Sequence, residues 1–245
     1  MFYLEGFGKN EGRRFVSIAG RCPKPVIILK PGKSPGGSRA VSSHTASMSG
    51  DYDVFSAVLS QYGVMEAKND LELLSYCKSL LCYPRTITGK VGIVTGSGGH
   101  GALAVDHCEA RGISVPILPD HIQKELRGNL SASVQPIASV ANPVDLTGSA
   151  VDDDFVCTAD CLSRVEELDC LLFFMLPNLP GITSDVGARL SRVFHRRGKP
   201  MIAYMPLVEK YRMLIDGFEL NGIPVSNSIE GAVTMVEAIR KGKPC

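Results

Sequence analysis

Strand-like apolar runs alternate with helix-like segments along the chain, and this alternation is the feature that most restricts its fold. The first half contains such runs at residues 26–29 and 64–67, and the second half contains longer ones at 90–95 and 169–176. Their apolar residues are mostly continuous, as is typical of strands covered on both faces. Strands that alternate with helices favour a parallel sheet. The sequence therefore predicts an α/β protein with mainly parallel sheets.

Helical spacing and capping residues identify the segments between these strands. Helices are predicted at residues 51–62, 102–111, 122–130, 190–197 and 230–241, and from a cap at Asn69 or Asp70 to residue 81. Further strands are predicted at 115–118 and 199–205, a polar loop at 30–50, and a cap at Asp120 for the helix that follows it. Residues 82–89 contain turn formers and read as a linker, so two domains are expected, residues 1–85 and 86–245.

The overall charge and hydropathy exclude several classes of function. The net charge is +1, from 26 Lys and Arg against 25 Asp and Glu, so no bulk field would recruit nucleic acid or an anionic membrane. The longest purely apolar run, residues 170–176, is far shorter than the roughly 20 residues that cross a bilayer. Glu5 interrupts any signal-peptide core. We expect a cytoplasmic protein without nucleic-acid or membrane partners.

The cysteines and histidines do not form a recognisable metal-binding pattern. The chain has eight cysteines and no C-x-x-C pair. Cys157 and Cys161 lie one helical turn apart and could share a metal, but no further Cys or His stands at ligand spacing. Free thiols packed as small hydrophobic groups are the better interpretation, and no metal site is predicted.

The first candidate site is His44, in the predicted loop at 30–50. Connections from a strand to a helix usually have about 2–6 residues, so this one is long. His44 stands between Ser43 and Thr45, among small residues that cannot bury it. Small hydroxyl-bearing neighbours would let a phosphoryl group reach the ring and would help to hold its oxygens. From the residues alone, a phosphoryl carrier and a surface histidine in a polar loop both remain open.

The second candidate is the glycine-rich turn at residues 96–101, between a strand and a helix. It matches G-x-G-x-x-G, and Asp120 stands where a ribose-binding acid would lie. Because Asp120 is better explained as a helix cap, we interpret the turn as a phosphate site built from Ser97, Gly98 and Gly99 rather than as an NAD site. Glycines required only for tight packing are the alternative.

A compact polar turn at residues 142–148 supplies the last candidates. Asn142 precedes a proline and is held extended, and Asp145 could point into a cleft. Turn formation alone explains these residues equally well.

Taken together, these segments resemble the acyl-CoA synthetases that form ADP or another nucleoside diphosphate, which are relatives of succinyl-CoA synthetase. The resemblance is carried, in the family's order, by residues 3–6, 24–30, 34–40, 43–47 with Gly50, 94–99 and 142–146. It covers nearly the whole chain, and its Ser43-His44-Thr45 motif is much more specific than its glycines.

The resemblance implies two flavodoxin-like domains, of which the first, residues 1–85, is partial, and a role for each candidate residue. His44 would be transiently phosphorylated, and Glu5 would be the carboxylate that orients its imidazole. Ser43, Thr45, Ser97, Gly98 and Gly99 would bind phosphate, and Asn142 and Asp145 would lie on the substrate side. Acid, ATP and CoA would give acyl-CoA, ADP and phosphate through an acyl phosphate and the phosphohistidine.

The resemblance also implies partners. Family enzymes have a CoA-binding Rossmann domain and an ATP-grasp domain, and this chain contains neither. No cofactor would be bound tightly here: CoA, ATP or ADP and phosphate are substrates, and Mg²⁺ would accompany the nucleotide on an absent domain. We therefore expect the core portion of a synthetase that acts on a small carboxylic acid together with partner domains. A non-catalytic remnant or regulatory binding module of the same family is the alternative, and oligomeric state is left open.

Overall fold

The computed structural model describes residues 1–44, 51–176, 178–206 and 208–242, without the side chains of His44 and Val208. They divide into two compact units, residues 87–240 and residues 1–86 together with the end of the chain from Lys241. No helix in these described ranges is long and apolar enough to cross a membrane.

The first unit is built on a three-stranded parallel sheet. Its elements are β1 (Phe2–Tyr3), α1 (Glu11–Arg21), β2 (Ile27–Leu29), α2 (Pro35–His44), α3 (Tyr52–Gln61), β3 (Met65–Ala67) and α4 (Asp70–Cys82). The strand order is β1-β2-β3, with Phe2 opposite Ile28 and Ile28 opposite Glu66. Ile28 is fully buried in the centre of the core, where Val16 of α1 and Leu59 of α3 cover the sheet.

The second unit has a five-stranded parallel sheet. Its elements are β4 (Val91–Thr95), α5 (Gly98–Ala110), α6 (Asp120–Asn129), β5 (Val144–Asp145), α7 (Asp152–Ser163), β6 (Cys170–Phe174), α8 (Val186–Arg197), β7 (Met201–Tyr204), a 3-10 turn (Val208–Tyr211), α9 (Arg212–Glu219), β8 (Val225–Ser226) and α10 (Ile229–Lys241). The order β5-β4-β6-β7-β8 is the flavodoxin-like order 2-1-3-4-5. The predicted fold class, α/β with mainly parallel sheets, is confirmed.

The register of the second sheet aligns one residue from each strand along the carboxyl edge. The aligned residues are Asp145, Thr95, Phe174, Tyr204 and Ser226, in spatial order from β5 to β8. Aligned residues of neighbouring parallel strands point to the same face of the sheet. The chain changes direction across the sheet between β4 and β6, and open α/β sheets bind ligands beside such a switch point.

The predicted loop at 30–50 is wrong over residues 35–44, because α2 forms there. Pro35 opens the helix, where its fixed φ is suited to the first helical position. Ser34 caps it: its hydroxyl oxygen accepts a hydrogen bond from the Gly37 amide at 3.1 Å, and its carbonyl accepts one from the Ser38 amide at 2.8 Å. Val41 is buried and gives the helix an apolar contact. The helix was not predicted because its two glycines and three serines have low helix propensity.

Other boundaries also differ from the prediction; for example, α8 begins at Val186 rather than at residue 190. Residues 115–118 are not a strand; only Ser114 bridges to Lys90, and Pro116 cannot donate to a ladder. Pro119 takes the cap position that was assigned to Asp120, which is instead the first residue of α6.

Helix α5 begins at Gly98 rather than near residue 102, so the glycine-rich turn includes the helix's first turn. A Cβ on Gly101 would lie 3.3 Å from both Pro143 and Thr95, so the glycine lets this turn pack closely against the sheet.

Two helical glycines of the second unit should respond oppositely to alanine. A Cβ on Gly187 of α8 would lie 2.8 Å from the carbonyl oxygen of Leu214, so Gly187→Ala should destabilise the protein by about 1–3 kcal/mol. A Cβ on Gly128 of α6 meets nothing within 4 Å, so Gly128→Ala should be neutral or stabilise by up to about 1 kcal/mol. Urea unfolding followed by circular dichroism measures both, and equal effects would contradict the close packing of α8 on α9.

Candidate functional site

A buried lysine organises the carboxyl edge of the first sheet. Lys30 follows β2 directly and is 2% exposed. Its Nζ donates to the carbonyl oxygens of Glu5 at 2.8 Å and Pro31 at 3.3 Å, and it lies 5.3 Å from the centre of the Phe55 ring. Burial lowers the pKa of Lys30, although the carboxylates of Glu66 and Glu5 oppose this. The backbone of Glu5, the predicted orienting carboxylate, is therefore fixed by a cation within the sheet edge.

A second polar group surrounds Glu66 in β3. Its carboxylate accepts a hydrogen bond from the Tyr52 hydroxyl at 2.7 Å and lies 3.1 Å from Nζ of Lys33. Burial, followed by the hydrogen bond to Glu66, raises the pKa of Tyr52 to about 12. Burial alone would raise the pKa of Glu66, but hydrogen bonds from Tyr52, Ser56 and Lys33 hold it below its usual value.

The structure places His44 at the carboxyl end of α2, as its last residue. The His44 side chain and the whole of Thr45 lie outside the described part of the chain. Ser43 is exposed, and its hydroxyl donates to the Ala40 carbonyl of its own helix at 2.7 Å. On the far side of this segment, Asp51 caps α3 by accepting from the amides of residues 53 and 54. The roles of His44, Glu5, Ser43 and Thr45 stay predictions.

In the second unit, the predicted phosphate-binding residues lie together at the switch point. Gly98 and Gly99 are exposed in the first turn of α5, where backbone N–H groups have no partner within the helix. The Ser97 amide is already bonded to the Thr95 hydroxyl at 3.0 Å. A Cβ on Gly98 would lie 3.0 Å from Oδ2 of Asp145, whereas a Cβ on Gly99 would meet open space. The predicted turn and Asp145 are thus adjacent, and the side of Gly99 is open.

Asn142, the other predicted substrate-side residue, has its side chain committed to the backbone. Its Oδ1 accepts from the Ile93 amide at 2.9 Å, and its Nδ2 donates to the carbonyls of Val91 at 3.0 Å and Pro116 at 2.9 Å. The side chain is buried and joins β4 to two neighbouring segments. These contacts give Asn142 a structural role.

Several residues of these edges were missed as site candidates. The His100 ring lies 5.9 Å from the Tyr204 ring, and its Nδ1 lies 3.1 Å from the Ser97 hydroxyl oxygen. Tyr204 is 8% exposed, and burial raises its pKa. Lys30 directly follows one predicted strand, and Tyr204 lies near the end of another. These positions could have identified both residues as site candidates. Nothing in the sequence links Tyr52 to Glu66, which lies 14 residues away on another element.

The described residues contain no group of three or more His, Cys, Asp or Glu that could hold a metal ion. In α7, burial raises the pKa of the Cys161 thiol to about 11 and also raises that of Cys157. Metal binding requires the thiolate, so these environments disfavour a metal at the Cys157–Cys161 pair.

Comparison with known proteins finds this chain similar to parts of ADP-forming CoA ligases. Residues 1–80 match the family model of the succinyl-CoA ligase-like flavodoxin domain. The chain is 34% identical over 97% of its length to the alpha subunit of ADP-forming acetate–CoA ligase II of Pyrococcus furiosus, and 30% identical over 98% to that of ligase I. It matches the structure of the dinucleotide-forming acetyl-coenzyme A synthetase 1 of Ca. Korarchaeum cryptofilum in complex with phosphate and ADP, with a TM-score of 0.86 and 26% identity over 98% of this chain. The chain spans about half the length of these relatives, 52% in each case.

Replacing Asn142 should destabilise the fold. Asn142→Ala leaves one backbone amide and two carbonyls without their side-chain partners, so we expect a loss of about 3 kcal/mol in the free energy of unfolding. The exposed Asn129 provides a matched control, and Asn129→Ala should change stability by less than about 0.5 kcal/mol. Urea unfolding compares them. An Asn142→Ala protein as stable as the control would contradict the structural role.

The contribution of Glu66 should depend on pH. Because its pKa in the folded state lies below the usual 4.5, its stabilising effect is present above that value and is lost as the pH falls through the folded-state pKa. At pH 7, Glu66→Gln should cost about 1 kcal/mol. The difference between the two proteins should shrink as the pH falls below 4.5, where the carboxyl group becomes neutral like the amide. A difference that stays constant over this range would contradict the assignment.

Proposed function

The chain belongs to the family of ADP-forming acyl-CoA synthetases, and we propose that it is the part of such an enzyme that carries a phosphoryl group on His44. The observation that carries this proposal is the match to two alpha subunits over 97% or more of the chain. The fold supports it, since Glu5 follows β1 and Ser97, Gly98 and Gly99 follow β4, each at the carboxyl edge of a parallel sheet, where such sheets bind ligands.

The proposed reaction has three balanced steps. The His44 imidazole takes the γ-phosphoryl group of ATP and releases ADP. The carboxylate of the acid then attacks the phosphohistidine, which gives an acyl phosphate and free His44. Finally, the thiol of CoA attacks the acyl carbon, which gives acyl-CoA and phosphate. Each step is reversible, so the same residues also serve ATP synthesis from acyl-CoA.

Glu5 is proposed to hold the imidazole of His44. A neutral imidazole attacks through one nitrogen, and the other must keep its proton until the N–P bond has formed. A carboxylate that accepts this N–H fixes the tautomer and stabilises the positive charge that develops on the ring. The bond from Lys30 to the Glu5 carbonyl supports this role, because it fixes the backbone from which the carboxylate projects.

The first turn of α5 is proposed to bind phosphate through backbone amides. The positive end of the helix attracts an anion, but the Asp145 carboxylate already lies beside Gly98. Repulsion from Asp145 therefore directs a phosphate to the open side, at Gly99. Ser97 contributes its hydroxyl, which lies within reach of His100.

The remaining parts of the enzyme are proposed to lie on other chains or on a longer parent of this chain. CoA binding is proposed to reside on a Rossmann domain, and ATP with its Mg²⁺ on an ATP-grasp domain. Within this chain, residues 1–85 would form the domain that carries His44 and residues 86–245 the second, ligase–CoA domain. None of the seven cysteines in the described part of the chain forms a disulfide bond, which supports a cytoplasmic location.

Phosphoryl transfer to the purified chain tests this proposal. The chain is mixed with an ATP-grasp protein of a related ligase and γ-labelled ATP, and wild type is compared with His44→Ala. We expect acid-labile, base-stable label on the wild type and none on the variant. His121→Ala, which removes an exposed histidine in α6, is the matched control and should be labelled like the wild type.

The opposite outcome is equally defined. A folded wild-type chain that takes no label from a partner shown to phosphorylate its own cognate subunit would overturn the proposal. The chain would then be a remnant or a regulatory binding module of the family.

A further inference from the structure

The two described ends of the segment that carries His44 contact the same carboxylate. Lys33 precedes α2 and its cap, and Tyr52 is the first residue of α3. Both side chains reach Glu66 of β3, the Tyr52 hydroxyl at 2.7 Å and the Lys33 Nζ at 3.1 Å. The residues just before and just after the segment are thus held at the same position of the sheet edge, Glu66.

Further contacts strengthen each attachment. The Lys33 Nζ also donates to the carbonyls of Ala67 at 3.3 Å and Lys68 at 3.4 Å, directly after β3. It lies 5.3 Å from the centre of the Tyr52 ring, so the two attached side chains also contact each other. The Glu66 side chain is only 14% exposed, and a pair in such a position is screened less by salt than a surface pair.

We propose that Glu66 is a positioning residue that anchors both ends of residues 34–51 to the first sheet and thereby sets where His44 is presented. The functional half of this inference rests on the proposed role of His44 as the phosphoryl carrier. Anchoring both ends at one point limits where α2 and its last residue, His44, can lie, so less entropy is lost when the histidine is held for transfer. Glu66 itself does not touch the phosphoryl group in this account.

Hydrogen–deuterium exchange on the whole 245-residue chain tests the anchoring directly. Glu66→Ala removes the carboxylate that both ends contact and leaves only the weaker contacts of Lys33 with two backbone carbonyls and the Tyr52 ring, so we expect the amides of α2 and of the first turn of α3 to exchange about tenfold faster or more. Lys33→Met should accelerate exchange only in α2, and Tyr52→Phe only in α3. Asp53→Asn removes one negative charge from an exposed position of the same turn of α3, and as the matched control it should leave both segments unchanged.

Two exchange patterns would overturn the anchor. In one, Glu66→Ala accelerates neither segment. In the other, it accelerates α1 and β2 as strongly as α2, which would mean that Glu66 only stabilises the unit as a whole. The amides of β4, in the other unit, serve as the internal reference for all variants.

The labelling reaction tests the functional half. We expect Glu66→Ala to lower the rate of His44 labelling about tenfold or more at saturating partner and ATP, without changing the ATP concentration that gives half the maximal rate. Glu66→Gln keeps an oxygen acceptor for the Tyr52 hydroxyl and should restore part of the rate.

The possible failures are distinguishable. Normal labelling of Glu66→Ala, with His44→Ala unlabelled, would overturn the positioning role and leave the carrier role intact. A wild-type chain that takes no label would overturn the carrier role, whereas the exchange pattern would still decide whether Glu66 anchors the segment.

Discussion

Parallel strand pairing is the constraint on which the candidate sites of both units depend. Because neighbouring strands run in the same direction, the carboxyl ends of all strands in a sheet meet at one edge. In the first unit this brings Lys30, after β2, to the carbonyl of Glu5, after β1. In the second it aligns Asp145 with Thr95 and places both beside the first turn of α5. Residues far apart in sequence therefore become neighbours through strand pairing alone.

The two edges solve the problem of burying polar groups differently. The first edge uses full charges: Lys30 is covered and bonded to carbonyls, and Glu66 is held by Lys33 and Tyr52. The second edge uses backbone dipoles, with exposed glycine amides at the start of a helix and one carboxylate beside them. Lys30, Lys33 and Glu66 all have partners within the first unit, whereas the second edge keeps donors that lack a partner within the helix.

The sequence predicted those parts of the fold that depend on local pattern. Continuous apolar runs located β2, β3, β4 and β6 because strands buried on both faces leave that signature. Helix α2 was missed because glycine and serine propensities argue against it, whereas a proline, a cap and one buried valine decide it. The family was identified from motifs, and the comparisons confirm it. The contact of Tyr52 with Glu66 could not be predicted, because it depends on how α3 packs against β3.

The contacts made by Lys30 and Lys33 bear on how a phosphoryl carrier could work. Lys30 donates to two carbonyls and Lys33 is paired with Glu66, so neither cation is placed to clamp a phosphate by charge alone. A carrier must accept a phosphoryl group and also release it, and binding that favoured the phosphorylated state strongly would slow the release. Backbone amides and hydroxyl groups hold an anion more weakly than a pair of ammonium groups does. If the proposed function is correct, Lys30 and Lys33 position Glu5 and the segment of His44 instead of binding phosphate. The phosphorylated and free states of His44 therefore stay close in free energy.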